Sequence, residues 1–138
     1  MISERLERLE KALAVMREKA PWVCFNLPAR LRNTSNARDG WRATAKRAKT
    51  VRALARRLAL SALLTASDEL KFPLIVRLVY IGPRQLDDDG VASAVKSLRD
   101  GVADALGVDD RDPRVVWVSD QERGGVREYG ARVEIYLA

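Results

Sequence analysis

The chain has no histidine and a single cysteine, Cys24, in 138 residues. Both scarcities close off chemistry. Without histidine there is no Ser-His-Asp or Cys-His catalysis and no His-based metallohydrolase motif. One cysteine makes no internal disulfide, and with no histidine beside it an ordinary structural zinc site has no ligands. Long apolar runs are missing as well. Nothing approaches the roughly 20 residues that span a bilayer, and the opening ISERLERLEK is too charged for a signal peptide, so a soluble, cytoplasmic protein without a membrane partner is expected. What remains to an enzyme is carboxylate, lysine and hard-metal chemistry.

What is present is a chain 47% hydrophobic and 32% charged, which lies outside the disordered class. Its length suits one domain, residues 1–138, able to bury about two-thirds of the surface its unfolded form exposes. Lys and Arg number 25 against 19 Asp and Glu, a net charge of +6 that favours an anionic partner without naming one.

Along residues 2–19, Ile2, Leu6, Leu9, Leu13 and Met16 recur at alternating steps of four and three, the stripe of an amphipathic helix that Pro21 ends. This extension, residues 1–20, either lies on the core or makes a dimer contact. Trp22 to Leu27 is short, aromatic and β-branched and reads as a strand closed by Pro28. A turn-rich loop with several arginines follows, then a long helix from Trp41 to about Ala66, with Val51, Leu54, Leu58 and Ala62 marking its buried side. Phe72 to Ile81 is a nearly continuous apolar run broken by Arg77, as in a strand covered on both faces. Asp87-Asp88-Asp89 opens a helix to about Leu106, where carboxylates suit the positive end of the helix dipole. Val115 to Ser119 and Val126 to Leu137 read as two more strands, and Gly124-Gly125 between them signals a hairpin. The expectation is an α/β (α+β) domain: a mixed sheet of about four strands, two long helices and the extra N-terminal helix.

Two segments carry chemistry. On the helix after Asp87, Val91, Val95, Leu98, Val102 and Leu106 share one side, while Asp89, Lys96 and Asp100 fall on the opposite side. Asp109, Asp110 and Asp112 follow in the turn beyond. Carboxylates converging from two segments would hold Mg²⁺, which prefers oxygen ligands, and a nearby lysine would donate to a phosphate oxygen or to water. The same residues would equally serve as helix caps and solvated loop. The second segment sets Arg30, Arg32, Arg38, Arg42, Lys46, Arg47, Lys49, Arg52, Arg56 and Arg57 against Asp39 alone, a local charge of about +9. Such a surface would hold phosphates and release counterions, or would simply be a solvated helix face. Trp41 and Arg38 suit stacking on an exposed base, although a tryptophan at a helix start more often packs into the core.

The stretch LDDDGVASAVKSLRDGVADALGVDDRDPRVVW, with SNARDGW, the RRAKTVRA helix and the tail QERGGVREYGARVEIYL, resembles the RusA-like Holliday-junction resolvases, in particular their phage and prophage branch. The likeness covers most of residues 22–138. It implies a homodimer that binds branched DNA in the cytoplasm of a bacterial host and makes paired, Mg²⁺-dependent nicks, with Mn²⁺ a possible substitute. By position, the family's metal-binding aspartates fall on Asp87, Asp89 and Asp110. Its lysine falls on Lys96, since Ser93 stands one turn after Asp89, where shorter members carry the lysine. Arg32, Asn36, Arg38, Arg42, Lys46, Arg47 and Lys49 would contact DNA. Gly90 stands where the family normally has asparagine. The functional expectation is a Mg²⁺-dependent, structure-selective endodeoxyribonuclease; the alternative is a non-catalytic nucleic-acid-binding protein on the same fold.

Overall fold

Hydrophobic patterning along the chain becomes α1 (Ile2–Glu18), β1 (Val23–Leu27), α2 (Gly40–Thr65), β2 (Leu74–Gly82), α3 (Asp88–Ala94), α4 (Lys96–Leu106), β3 (Val115–Arg123) and β4 (Gly130–Leu137). These elements come from a computed structural model that describes residues 2–32 and 40–138. They form one α+β domain with a mixed sheet in the order β1-β4-β2-β3, in agreement with the expected fold class. Among the described residues no helix is long and apolar enough to cross a membrane.

β2 occupies an interior position because it is the most apolar strand. It pairs antiparallel with β4 on one side and parallel with β3 on the other. A parallel pair needs a crossover, and α3 with α4 supplies it. The backbone bond from Val95 N–H to Val91 C=O and that from Arg99 N–H to Val95 C=O carry the helix past a local irregularity at Val95.

The expected hairpin between the last two strands is not formed. β2 lies between β3 and β4, and the connection after Arg123 crosses the end of β2, where Gly124 N–H donates to Gly82 C=O at 2.8 Å. The reason is burial: Leu74, Val76, Leu78 and Val79 are all fully buried, and a strand this apolar is stabilised by partners on both edges. The chain turns just beyond the two glycines, at Val126-Arg127, where Glu128 N–H donates to Gly125 C=O at 3.1 Å, Arg127 has a φ of 61° and Gly125 N–H donates to the Glu128 carboxylate at 2.7 Å, but this turn leads past β2 rather than back onto β3.

Strand alternation gives the sheet two unlike faces. Val23, Leu74, Val76, Leu78, Val133 and Ile135 point to the main core, beneath α2, α3 and α4. As expected, Val91, Val95, Leu98, Val102 and Leu106 are all buried there. On α2 the fully buried residues are Ala55 and Ala59, with Val51, Leu54, Leu58 and Ala62 half-buried around them. Small side chains let α2 and α4 approach closely: a Cβ on Gly101 would sit 2.4 Å from the Arg52 carbonyl oxygen and 2.7 Å from Ala55 Cβ. The opposite face carries a smaller cluster of Ala12, Ile75 and Tyr136, with Val15, Met16, Val116 and Val118. α1 therefore lies on its own sheet. It is rotated from the expected stripe, burying Ala12 and leaving Leu6 54% and Leu13 43% exposed.

Candidate functional site

Asp87 caps α3. Its carboxylate accepts a hydrogen bond from Gly90 N–H at 2.7 Å, and its carbonyl accepts from Val91 N–H at 2.9 Å. Asp88 and Asp89 complete an acidic first turn where unpaired N–H groups favour negative charge. Gly90 is buried under this cap and brings no side chain to compete for the turn. Just before it, the Gln121 amide bonds both backbone groups of Leu86, accepting from its N–H at 2.9 Å and donating to its C=O at 2.8 Å. The end of β3 thus fixes the segment that leads into Asp87. Gln121 was not singled out from sequence, because nothing in a strand pattern shows which loop a strand end will meet.

The basic half of α2 lies at this same end. Arg30, Arg32, Thr44, Arg47, Ser93 and Ser97 line one small cavity, and farther along the two helices Arg52 pairs with Asp104 in a bidentate ion pair, 2.7 and 2.9 Å. The two helices therefore progress in the same direction, with the cationic start of α2 beside α3. The Arg52 guanidinium holds the Asp104 carboxyl below its ordinary range. Arg42, Lys46 and Lys49 are exposed, as are Arg32, Asp89 and Lys96. Trp41 is 76% exposed and does not pack into the core; the Arg42 guanidinium lies 5.3 Å from its ring centroid. Asn36 and Arg38, also expected at a DNA contact, lie outside the described residues.

Asp110 is at the other end of the domain. β2 and β3 run side by side through nine residue pairs, about 30 Å at ~3.3 Å per residue. Asp87 follows the end of β2, while Asp110 precedes the start of β3, its carbonyl oxygen held by the Arg99 guanidinium at 2.9 Å. Among the described residues no three acidic or cysteine side chains gather in a metal-binding group. Within one chain, then, Asp87, Asp89 and Asp110 do not fit a shared Mg²⁺ ion. What neighbours the acidic turn instead is a cleft of about 580 Å³ along β3, bordered by Asp88, Ser119, Asp120 and Gln121.

A second charged constellation covers the sheet face that α1 leaves open. Arg77 bonds Glu134 at 3.2 Å and Asp120 at 2.5 Å; Arg132 bonds Glu134 at 2.7 Å and pairs with Glu122; and the Tyr136 hydroxyl donates to Glu134 at 2.5 Å. Burial pushes the Glu134 carboxyl up, and the donors around it outweigh burial and hold it below the usual carboxylate range. These groups satisfy one another across three strands, so the lattice is a structural one. Arg77 is explained by it: the one charge in an apolar strand meets acids on both neighbours.

No family model, no curated protein and no solved structure matches the chain.

Proposed function

We propose that the protein is a structure-selective DNA endonuclease of the RusA type, acting as a homodimer on branched DNA. The observation that carries the reading is the placement of the acidic turn Asp87–Asp89 at the same end of the domain as the cationic start of α2. Phosphates bound along Arg32, Arg42, Lys46, Arg47 and Lys49 would run towards the carboxylates, and these contacts position a duplex without reading its sequence. Lys96, exposed at the start of α4 on the side of Asp89, offers an ammonium to a phosphate oxygen.

The resemblance implies Mg²⁺ as the cofactor, with Asp87, Asp89 and Asp110 as ligands. The separation of Asp110 means that a single chain does not supply that set. A homodimer answers the difficulty in principle, because a two-fold axis can bring the Asp110 end of one chain to the Asp89 end of the other. The chain has no histidine, and phosphodiester hydrolysis by carboxylates requires none.

A second reading, a non-catalytic nucleic-acid-binding protein on this fold, is favoured by the same separation and by the use of the Asp87 carboxylate as a helix cap. A labelled four-way junction incubated with Mg²⁺ decides between them. Paired symmetric nicks that vanish in Asp89→Asn support the nuclease. Tight, salt-sensitive binding without cutting in either Mg²⁺ or Mn²⁺ leaves the binding protein.

A further inference from the structure

At the Asp110 end of the domain, the Arg8 guanidinium on α1 donates to the Pro113 carbonyl and ties that helix to the turn before β3. A cleft of about 500 Å³ opens where α1, this turn, the start of β3 and Arg99 of α4 meet. Four guanidinium groups border it: Arg5 and Arg8, three residues apart and therefore neighbours on one side of α1, with Arg99 and Arg111. Among the described residues none of the four is taken up in an ion pair.

The carboxylates nearby do not cancel this charge. Asp112 is held by Arg114 through two bonds, 2.8 and 3.1 Å, and Asp109 accepts from Arg111 N–H at 2.9 Å. With Asp110 they make three acids against five arginines, Arg114 included, and the glutamates of α1 are not on the border. Arg99 is fixed in place, since it donates to Asp110 C=O at 2.9 Å and its guanidinium lies 5.1 Å from the Trp117 ring centroid. Its Nε and Trp117 Nε1 are buried without a partner among the described residues, donors that the fold supplies and its own acceptors do not use. Leu9, Pro113 and Trp117 add apolar surface to the border. The volume falls in the range of small-molecule sites and exceeds what a bare ion needs.

We propose that this cleft binds a phosphate-bearing ligand of nucleotide type, with the guanidinium groups on the phosphate and Leu9, Pro113 and Trp117 against the sugar or base. Guanidinium forks suit phosphate oxygens, and their charge-assisted bonds are the strong ones. The phosphate arrives on a free nucleotide or within a strand, and the recognising chemistry is the same. The site does not rest on the nuclease reading. Arg5 and Arg8 lie on α1, outside the residues 22–138 over which the likeness runs, and the cleft is at the far end of the domain from Asp87 and the cationic start of α2.

The test is isothermal titration of the full chain with a nucleoside 5′-monophosphate, with the parent nucleoside and with a single-stranded oligonucleotide. Arg5 and Arg111 are exposed, and their side chains make no hydrogen bond or ion pair among the described residues, so Arg5→Ala/Arg111→Ala should keep the far-ultraviolet spectrum and urea midpoint of the parent. The expected result is binding of the monophosphate and not of the nucleoside, weakened about tenfold or more in that double variant. Arg56→Ala/Arg57→Ala removes the same charge from two exposed positions of α2 that do not border the cleft, and should leave binding unchanged. Binding of the oligonucleotide alone, weakened in the same way by Arg5→Ala/Arg111→Ala, supports the site and identifies the phosphate as that of a strand. Equal binding of nucleoside and monophosphate, no binding of either phosphate probe, or binding indifferent to Arg5 and Arg111 would each overturn the proposal. Where the double variant fails to fold, Arg5→Glu alone decides.

Discussion

Gln121 holds Leu86 by both of its backbone groups, at 2.9 and 2.8 Å, and so ties the end of β3 to the segment that presents Asp87. The two residues are 35 positions apart in the chain. Two hydrogen bonds contribute about 1–3 kcal/mol in net terms. Gln121→Ala is therefore expected to lower stability in urea unfolding by that amount. Under the nuclease reading it also lowers junction cleavage more than junction affinity, because the phosphate contacts lie on α2. Equal losses in both would show that Gln121 does not position the acidic turn.

Asp87 and Asp89 are two residues apart and should behave differently. Asp87→Ala removes the cap on Gly90 N–H and should cost about 1 kcal/mol of stability, seen as a lower urea midpoint at unchanged slope. Asp89 is exposed and makes no cap bond, so Asp89→Asn should unfold within about 0.5 kcal/mol of the parent while abolishing any cleavage. An Asp89→Asn variant with full cleavage would remove Asp89 from the site.

Gly101 allows α2 and α4 to touch. Its missing Cβ would meet backbone at 2.4 Å, and backbone does not swing aside as a side chain would. Gly101→Ala should destabilise by about 1–3 kcal/mol through overpacking, despite the better helix propensity of alanine. A variant at least as stable as the parent in thermal and urea unfolding would mean that the helices separate freely.

The lattice around Glu134 sets two limits on stability. A carboxyl with a lowered folded pKa contributes stability that is complete above its ordinary value near 4.5 and is lost as pH falls through the folded value. Glu122, lowered by its bond from Arg132, acts in the same direction. Tyr136 is the opposite case: burial, and then donation to Glu134, push its hydroxyl up to about 12. Its contribution is complete below the ordinary value of 10 and is lost between pH 10 and about 12. Urea midpoints measured against pH should fall on both sides, and Tyr136→Phe should flatten the alkaline limb while leaving Glu134 one donor short and the protein less stable at neutral pH.

Lys46 and Lys49 are exposed on the cationic half of α2. If both neutralise phosphates, the plot of log affinity against log salt should become shallower by about 1.8 when both are changed to alanine, at ~0.9 per contact. Fluorescence anisotropy with a labelled junction measures the slope, and an unchanged slope would place the DNA elsewhere.

The residues that fix their own surroundings were legible in advance. The apolar run of β2, the single buried stripe Val91–Leu106 and the acidic first turn of α3 depend on periodicity and on the local electrostatics of a helix end, which act over one or two turns of chain. That the chain reverses next to Gly124-Gly125 was legible too, although the turn itself falls on Val126-Arg127, read in advance as strand. Its partner strand was not, because turn residues specify a reversal and say nothing about which strand is the most apolar and takes the interior place. Trp41 shows a similar limit: its type favoured burial, and the rotation of α2 left it in solvent.

By itself, then, the sequence determined what chemistry is possible and where most helices and strands lie, since residue types and spacing decide both, though β4 begins at Gly130 rather than Val126 and the helix after Asp87 is divided at Val95. Only the tertiary structure decided that Asp87 and Asp89 share an end with the cations of α2, that Arg77 belongs to an ionic lattice, and that Asp110 stands apart. Those relations depend on strand order and on the length of the α3–α4 crossover, which carries the chain from one end of the sheet to the other before β3 begins.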